Sequence, residues 1–493
     1  MAFASTRGGA CAHASQTILQ GLAPNGGLFV PDEFPGVSLE DIGAMAQMDY
    51  PARAAMVLQK YLDDFTPEEI ACAVQAAYRP DKFDDPAVAP VKPVAPGTFM
   101  LELFHGPTLA FKDMALQLLP HLMTLSARKN GETREVNILV ATSGDTGKAA
   151  LEGFKDVPGT SCTVFYPTDG VSDVQKLQMT TTGGSNTKVI ALRGNFDDAQ
   201  TGVKALFASA DFAAQANRQG KVLSSANSIN FGRLVPQIVY YFSAYADLAA
   251  SGAIALGDKV NFVVPTGNFG NILAAEYARR MGLPVNRLIC ASNRNRVLTD
   301  FFSTGEYVSD RPFYKTTSPS MDILISSNLE RLLFEAANRQ GETVAQWMNL
   351  LKKEGRFSVT EDQLKQMLTI FCAGSADDAQ CAEEIRTRYT MDGCVMDPHT
   401  AVASRVLREY RAATGDDTPA VIVSTASPYK FAADVLCALK GEAPASPDAF
   451  DCAEELQRMT GLAIPPQVSE LRSLPVSHTA VCEKDGMASA ALG

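Results

Sequence analysis

The chain has 493 residues, of which 46% are hydrophobic and 20% charged, with a formal net charge of −12. That composition is ordinary for a water-soluble globular protein, and at about 150 residues per domain the length predicts roughly three domains. The negative balance argues against a nucleic-acid surface or an anionic-membrane surface, so any anionic ligand has to be captured by local groups.

Residues 1–16 lack the apolar core of a secretory signal, and no later run reaches 18 apolar residues. The expectation is a cytoplasmic protein with no membrane span. Apolar residues recur at helical spacing from about Leu39 to Tyr78. Within that stretch Thr66, Pro67 and Glu69 mark a helix start: the threonine hydroxyl accepts from an orphan first-turn amide, and proline there has no N–H to leave unpaired. Residues 80–96 are proline-rich and polar and read as a connector. Asp113 is placed to cap a helix over 114–123.

Short apolar, β-branched runs then alternate with helical segments. Strands are predicted at 136–141, 161–166, 188–192, 259–264, 287–291 and 420–424, with helices such as 272–281 and 431–439 after them. Such runs imply parallel sheets covered on both faces, which bind ligands beyond the strands' carboxyl ends. Residues 332–371 and 383–389 return to helical spacing, and the tail from about 483 is small, polar and expected to fray. The ten cysteines are scattered without a CxxC pair, and no histidine stands at zinc-ligand spacing among them, so they read as reduced core thiols and no metal site is predicted.

Three local features point to chemistry. Lys112 lies in the run His105-Gly106-Pro107-Thr108-Leu109-Ala110-Phe111-Lys112-Asp113, where Leu109 and Phe111 could desolvate its amine and favour imine formation. Two glycine-rich turns each follow a predicted strand and open a helix. Gly267-Asn268-Phe269-Gly270-Asn271 combines orphan helix amides with glycines that let an anion approach the backbone, as a phosphate monoester requires. Thr142-Ser143-Gly144-Asp145-Thr146-Gly147 adds side-chain hydroxyls and could grip a carboxylate or phosphate; Asp145 or Thr146 could equally be a plain helix cap. Further on, Asp397 is a capping residue, His399 is a candidate for acid–base work or a structural histidine, and Thr425 ends a strand where it could meet a ligand or cap the next helix.

Taken together and in this order, these motifs resemble the threonine synthase family, pyridoxal-phosphate enzymes of the tryptophan synthase β-like fold type. The similarity is to the branch with a long N-terminal extension and spans nearly the whole chain. Ser5-Thr6-Arg7-Gly8, the run at 21–31, Ser225-Ala226-Asn227-Ser228-Ile229-Asn230 and Ser320-Met321-Asp322-Ile323 carry it alongside the runs above.

The resemblance implies two parallel-sheet α/β domains and a mainly helical N-terminal domain, divided as 1–95 (helical), 96–135 with 245–493 (large, cofactor-binding) and 136–244 (smaller). It implies that Lys112 holds pyridoxal 5′-phosphate as an imine and then moves protons. Gly267, Asn268, Phe269, Gly270 and Asn271 would bind the cofactor's phosphate end, and Thr425 would face its ring nitrogen, a weaker partner there than a carboxylate. Ser143, Gly144, Asp145 and Thr146 would hold the substrate, with Lys148, Lys176 and Arg233 as the cations for its phosphate. The implied reaction takes O-phospho-L-homoserine and water to L-threonine and phosphate. Nothing in the sequence specifies the oligomeric state.

Two departures stand out. The family's late strand usually runs on as Ser-Thr-Ala-His-Pro-Ala-Lys-Phe, where this chain has Ser424-Thr425-Ala426-Ser427-Pro428-Tyr429-Lys430-Phe431. Ser427 and Tyr429 thus replace histidine and alanine. Some relatives also end the 267–271 loop in aspartate where this chain has Asn271. Ser427 is the support for an alternative, a phospholyase releasing 2-oxobutyrate; a non-catalytic relative is a third reading, against which Lys112 and both loops speak.

Overall fold

Two parallel sheets organise the computed structural model, which describes residues 1–9, 11–142, 144–168, 171 and 173–492. The larger sheet runs in the order Phe371–Ser375, Val285–Ser292, Val260–Pro265, Ala420–Ser424, Thr98–Glu102, Val91–Ala95. All pairs are parallel except the last, an edge hairpin. The connector read over 80–96 therefore ends as a strand, with Pro93 tolerated on the sheet's edge, and the hairpin crosses residue 95. The second sheet has five parallel strands in the order Ala480–Cys482, Thr187–Leu192, Thr160–Pro167, Glu135–Ala141, Lys221–Ser224. Every residue of Val260–Pro265 and of Ala420–Ser424 is buried, which is why these segments are continuous apolar runs and not alternating ones.

The N-terminal region holds the helices Leu39–Met45, Tyr50–Tyr61 and Pro67–Ala77 and a three-stranded antiparallel sheet, Cys11–Ala12, Phe3–Ser5, Phe29–Pro31. The Thr66 hydroxyl accepts from Glu69 N at 3.2 Å and Glu69 returns a bond to Thr66 N at 2.9 Å, the reciprocal cap read from the sequence. The first two helices pack against Phe231–Ala250, a 20-residue helix buried around almost its whole circumference. Arg53 fastens the two: its guanidinium reaches Asp247 at 2.7 Å and Ser243 Oγ at 2.7 Å.

Four expectations are revised. The stretch 332–371 is three helices, Leu329–Ala336, Gly341–Glu354 and Glu361–Leu368, interrupted by Arg356–Ser358, which pairs with Glu306–Val308, and followed by the sheet strand Phe371–Ser375. Strands this short contain too few residues to show a period of two. The helix expected over 114–123 is two, Lys112–Leu116 and Leu119–Lys129, and Asp113 lies inside the first. The tail does not fray: Ala480–Cys482 extends the smaller sheet, and Met487–Leu492 is a helix with Met487 and Ala491 buried against Phe196–Ala208. All ten cysteines are unbonded, but Cys11 and Cys72 are exposed. Among the described residues no helix is long and apolar enough to cross a membrane.

Candidate active site

The carboxyl ends of the two sheets meet at Lys112. The chain leaves Thr98–Glu102, runs beside the segment that leaves Ala420–Ser424, and turns into the helix Lys112–Leu116. The two segments are zipped by main-chain bonds: Leu103 N to Ser424 O (3.0 Å), Phe111 N to Thr425 O (2.9 Å) and Ser427 N to Leu109 O (3.0 Å). Leu109 takes a left-handed φ of 57°, a strained setting for a branched side chain that the surrounding bonds enforce. Asp113, wholly buried, caps this preceding turn and not its own helix, accepting from Thr108 N and Thr108 Oγ1 at 2.8 Å each.

Lys112 Nζ lies 3.4 Å from Ser320 Oγ and 3.5 Å from Asp145 Oδ2. Asp145 opens the helix Asp145–Phe154 on the smaller sheet, and its Oδ1 is 3.1 Å from Lys430 Nζ and 3.2 Å from Gln175 Nε2. Lys430 is buried and also donates to Thr108 O at 2.8 Å. Burial pushes the Asp145 carboxyl up, but Lys430 and then Lys112 outweigh it and hold the group well below the usual carboxylate range. Burial also depresses the Lys112 ammonium; Asp145 opposes the shift, while Lys430 and Arg233 add to it. The net result is a lysine whose neutral amine is unusually accessible.

Arg233 sits in the first turn of Phe231–Ala250, buried, with Nη1 donating to Ala226 O at 2.6 Å and Nε without a partner among the described residues. Burial brings its pKa down to about 10. It remains a cation with an unused donor.

The 267–271 loop joins Val260–Pro265 to the helix Gly270–Arg280. Position 267 needs glycine because a Cβ there would stand 2.6 Å from Ser320 O. Phe269 turns the chain with a φ of 63°. Asn268 O accepts from Asn328 N and Nδ2 at 3.0 and 3.1 Å. Asn271 Oδ1 accepts from both Tyr240 and Tyr241 hydroxyls at 2.6 Å, which aims its Nδ2 elsewhere; that donor is buried with no partner among the described residues. An orphaned N–H in the first turn of a helix behind a glycine loop suits an anion. Thr425 is buried, and its hydroxyl makes no hydrogen bond among the described residues.

In the other glycine-rich turn, Ser143 lies outside the described residues. Gly144 has a φ of 151°, and a Cβ there would come within 2.5 Å of Gln175. The helix cap is Thr142, whose Oγ1 accepts from Gly144 N and Gly147 N at 3.0 Å each, which frees Asp145 and Thr146 from that duty. Lys148 Nζ is held by Glu152 and by Thr182 Oγ1 at 2.9 Å, and Lys176 is exposed. The two departures from the late-strand motif also turn aside. Ser427 Oγ accepts from Tyr429 N at 3.3 Å, capping its own turn, and Tyr429 OH donates to Leu462 O at 2.5 Å.

Three residues at the site were not singled out from sequence: Ser320, Lys430 and Gln175. Ser320 and Lys430 lay in recognisable motifs, but nothing local shows that a lysine is buried or that a glutamine makes a contact. His399 is present behind Ser320. Its Nε2 accepts from Ser320 N–H at 3.2 Å and its Nδ1 faces Asp397 Oδ1 at 2.7 Å, an arrangement that suits a proton on Nδ1.

The family model "Threonine synthase N terminus" matches residues 2–78, and "Threonine synthase, C-terminal" matches residues 400–473. A threonine synthase of Pseudomonas aeruginosa is 40% identical over 481 residues, 97% of this chain and 98% of that protein. Human threonine synthase-like 1 is 41% identical over 436 residues, 86% of this chain but 58% of that protein, so the chain spans less than two thirds of that relative's length. Among solved structures, the PLP-bound threonine synthase of Brucella melitensis superposes with a TM-score of 0.88 at 38% identity, covering 100% of this chain and 99% of that one. The yeast threonine synthase gives 0.87 at 32% identity, covering 98% and 96%. With identity of this order along nearly its full length, the chain belongs to the threonine synthase family.

Proposed function

We propose that the chain converts O-phospho-L-homoserine and water into L-threonine and phosphate, using pyridoxal 5′-phosphate attached at Lys112. The observation that carries the proposal is Lys112 itself: a partly desolvated amine at the meeting point of two parallel sheets, set against Asp145 and Ser320. The surrounding residues fit the cofactor. Gly267, Asn268, Phe269, Gly270 and Asn271 provide the cradle for its phosphate end, with Asn271 Nδ2 as a donor unused among the described residues, and the buried Thr425 offers its hydroxyl for the ring nitrogen.

When bound, pyridoxal phosphate supplies an electron sink that acidifies the C–H bonds near the substrate's amine. The chain's own groups do the rest. Lys112 Nζ gives up its proton more readily than an exposed lysine, because burial, Lys430 and Arg233 all disfavour its charge. Asp145, kept ionised, stabilises that charge whenever Lys112 carries it. The substrate phosphate, a dianion in a protein of net charge −12, needs local cations. Arg233, with its unpaired Nε, is the leading candidate; Lys176, exposed, and Lys148, already held by Glu152, rank behind it. Ser143, Gly144 and Thr146 would hold the rest of the substrate.

In this reading residues 96–135 and 245–493 form the cofactor-binding unit, 136–244 the substrate unit and 1–95 a third unit, in a cytoplasmic enzyme. The test is a product assay: the cofactor-loaded protein is incubated with O-phospho-L-homoserine, and phosphate, threonine and 2-oxobutyrate are quantified together. Threonine equal to phosphate is expected. Phosphate matched by 2-oxobutyrate would make the protein a lyase, and absence of phosphate would overturn the reading.

A further inference from the structure

We propose that Ser320 is a further catalytic residue, its hydroxyl orienting the reactive nitrogen of Lys112, and that the His399–Asp397 pair is the device that holds Ser320 in place. The proposal rests on the reading of Lys112 as the cofactor-binding lysine.

The first line of argument is contact. Ser320 Oγ accepts from Lys112 Nζ at 3.4 Å and donates to Asp145 Oδ2 at 3.3 Å. A hydroxyl with one acceptor and one donor role already assigned has a fixed rotor. It takes up one N–H of Lys112, so the nitrogen's remaining directions, its lone pair among them, are no longer free to rotate. Reaction at that nitrogen depends on the lone pair being aimed before the partner arrives.

The second line is support. Ser320 lies in a 3-10 turn, Pro319–Met321, within a loop pinned from three sides. Asp322 accepts from Thr316 N and Oγ1 at 3.0 and 2.7 Å, and from Asn293 and Asn295 Nδ2 at 2.7 and 3.0 Å. Thr317 N and Oγ1 both donate to Asp378 at 3.1 Å. Ser320 N itself donates to His399 Nε2 at 3.2 Å, and His399 is in turn set by Asp397 through Nδ1 and its own amide at 2.7 and 2.8 Å. Gly267, in the proposed phosphate cradle, is glycine because Ser320 O stands where its Cβ would be. A loop merely covering the site would not need its register specified by so many polar side chains, of which Asn293, Asn295, Asp397 and His399 are buried and costly to leave unpaired.

The experiment follows covalent attachment of pyridoxal phosphate to the cofactor-stripped full-length protein, by stopped-flow growth of the visible band, with Lys112→Ala as the blank. Ser320→Ala is expected to slow attachment at least about tenfold, and Ser320→Thr, which keeps the hydroxyl, to recover most of the rate. His399→Leu should slow attachment comparably, and His399→Gln, which keeps an acceptor for Ser320 N–H, should recover part of it. The pH midpoint of the band in the loaded protein should also move in Ser320→Ala, although Asp145, Lys430 and Arg233, the charged groups facing Lys112, are untouched. Attachment in Ser320→Ala within about twofold of the unmodified protein, with an unmoved midpoint, would overturn the role of Ser320 alone. Failure of Ser320→Thr to exceed Ser320→Ala would do the same. No band in the unmodified protein would overturn the reading of Lys112, and this proposal with it.

Discussion

Asp145 Oδ1 lies 3.1 Å from Lys430 Nζ, an ion pair that ties the first helix turn after one sheet to the turn after the central strand of the other. Both side chains are nearly excluded from solvent, at 9% and 2% exposure. Such a pair adds little net stability over an apolar one, but losing one member strands the other as an unpaired buried charge. Its consequence here is electrostatic: it keeps Asp145 an anion within reach of Lys112, while Lys430 itself disfavours a charge on Lys112.

The two partners should therefore move the lysine in opposite directions. Lys430→Met removes a cation that lowers the Lys112 pKa, so the neutral amine appears only at higher pH. Asp145→Asn removes the anion that raises it, so the amine appears at lower pH. The pH dependence of cofactor attachment should show its acid limb displaced upward in the first variant and downward in the second. Each single variant should be destabilised by about 3 kcal/mol in urea, and the double variant by less than the sum.

Asn271 provides a second test. Asn271→Ala removes the acceptor shared by Tyr240 and Tyr241, but each tyrosine keeps another partner, Gln237 Oε1 at 3.2 Å and Asn271 O at 3.1 Å. The stability loss should stay near 1–2 kcal/mol. The lost Nδ2 donor to a phosphate should weaken pyridoxal phosphate binding roughly tenfold or more, measured by titration of the stripped protein. Affinity unchanged in a folded variant would remove Asn271 from the cradle.

Lys148, ranked behind Arg233 for the substrate phosphate, gives a third test. Its amine is taken by Glu152 and Thr182. Lys148→Met should lower stability by about 1 kcal/mol and leave KM within about threefold. A tenfold rise in KM with unchanged cofactor occupancy would restore it as a substrate ligand.

The sheet strands most plainly written in the sequence are those buried on both faces, such as Val260–Pro265 and Ala420–Ser424, because burial makes them continuous apolar runs. Phe371–Ser375 was hidden by its edge position and its small residues, and Ala480–Cys482 by its exposure. Lys112 was legible only in the company of its two loops, since a single lysine has no pattern. Lys430 was visible as part of the late-strand motif but without a role: its partners, Thr108 and Asp145, belong to distant segments, and only the fold reveals that a charge is buried. Ser320 was likewise visible as part of a motif but without a role until Gly267 and Lys112 were seen against it.

The Ser427 and Tyr429 departures should not change the reaction's outcome, because both side chains are used up locally. Tyr429→Phe loses the bond to Leu462 O and Ser427→Ala loses the turn cap, each costing about 1 kcal/mol. The ratio of threonine to 2-oxobutyrate should be the same in both variants as in the unmodified protein. A shift toward 2-oxobutyrate in Ser427→Ala would mean that the serine reaches the substrate after all.

The last prediction concerns pH and the segment leading to Lys112. His105 Nδ1 lies 2.6 Å from Asp84 Oδ1 and Nε2 lies 2.9 Å from Glu102 Oε2, with the ring 16% exposed. Burial pushes the imidazolium down, but Asp84 and Glu102 together outweigh it and raise the pKa to about 9. A histidine whose folded pKa exceeds its unfolded value of about 6.5 contributes stability that is complete below that value and is lost as pH rises through the folded pKa. The protein should therefore lose up to about 3 kcal/mol between roughly pH 6.5 and pH 9, and His105→Gln, which never carries the charge, should lack that slope. Urea midpoints measured across this window for both proteins test it. Equal slopes would mean that the two carboxylates are held by other groups and that His105 contributes nothing through its charge.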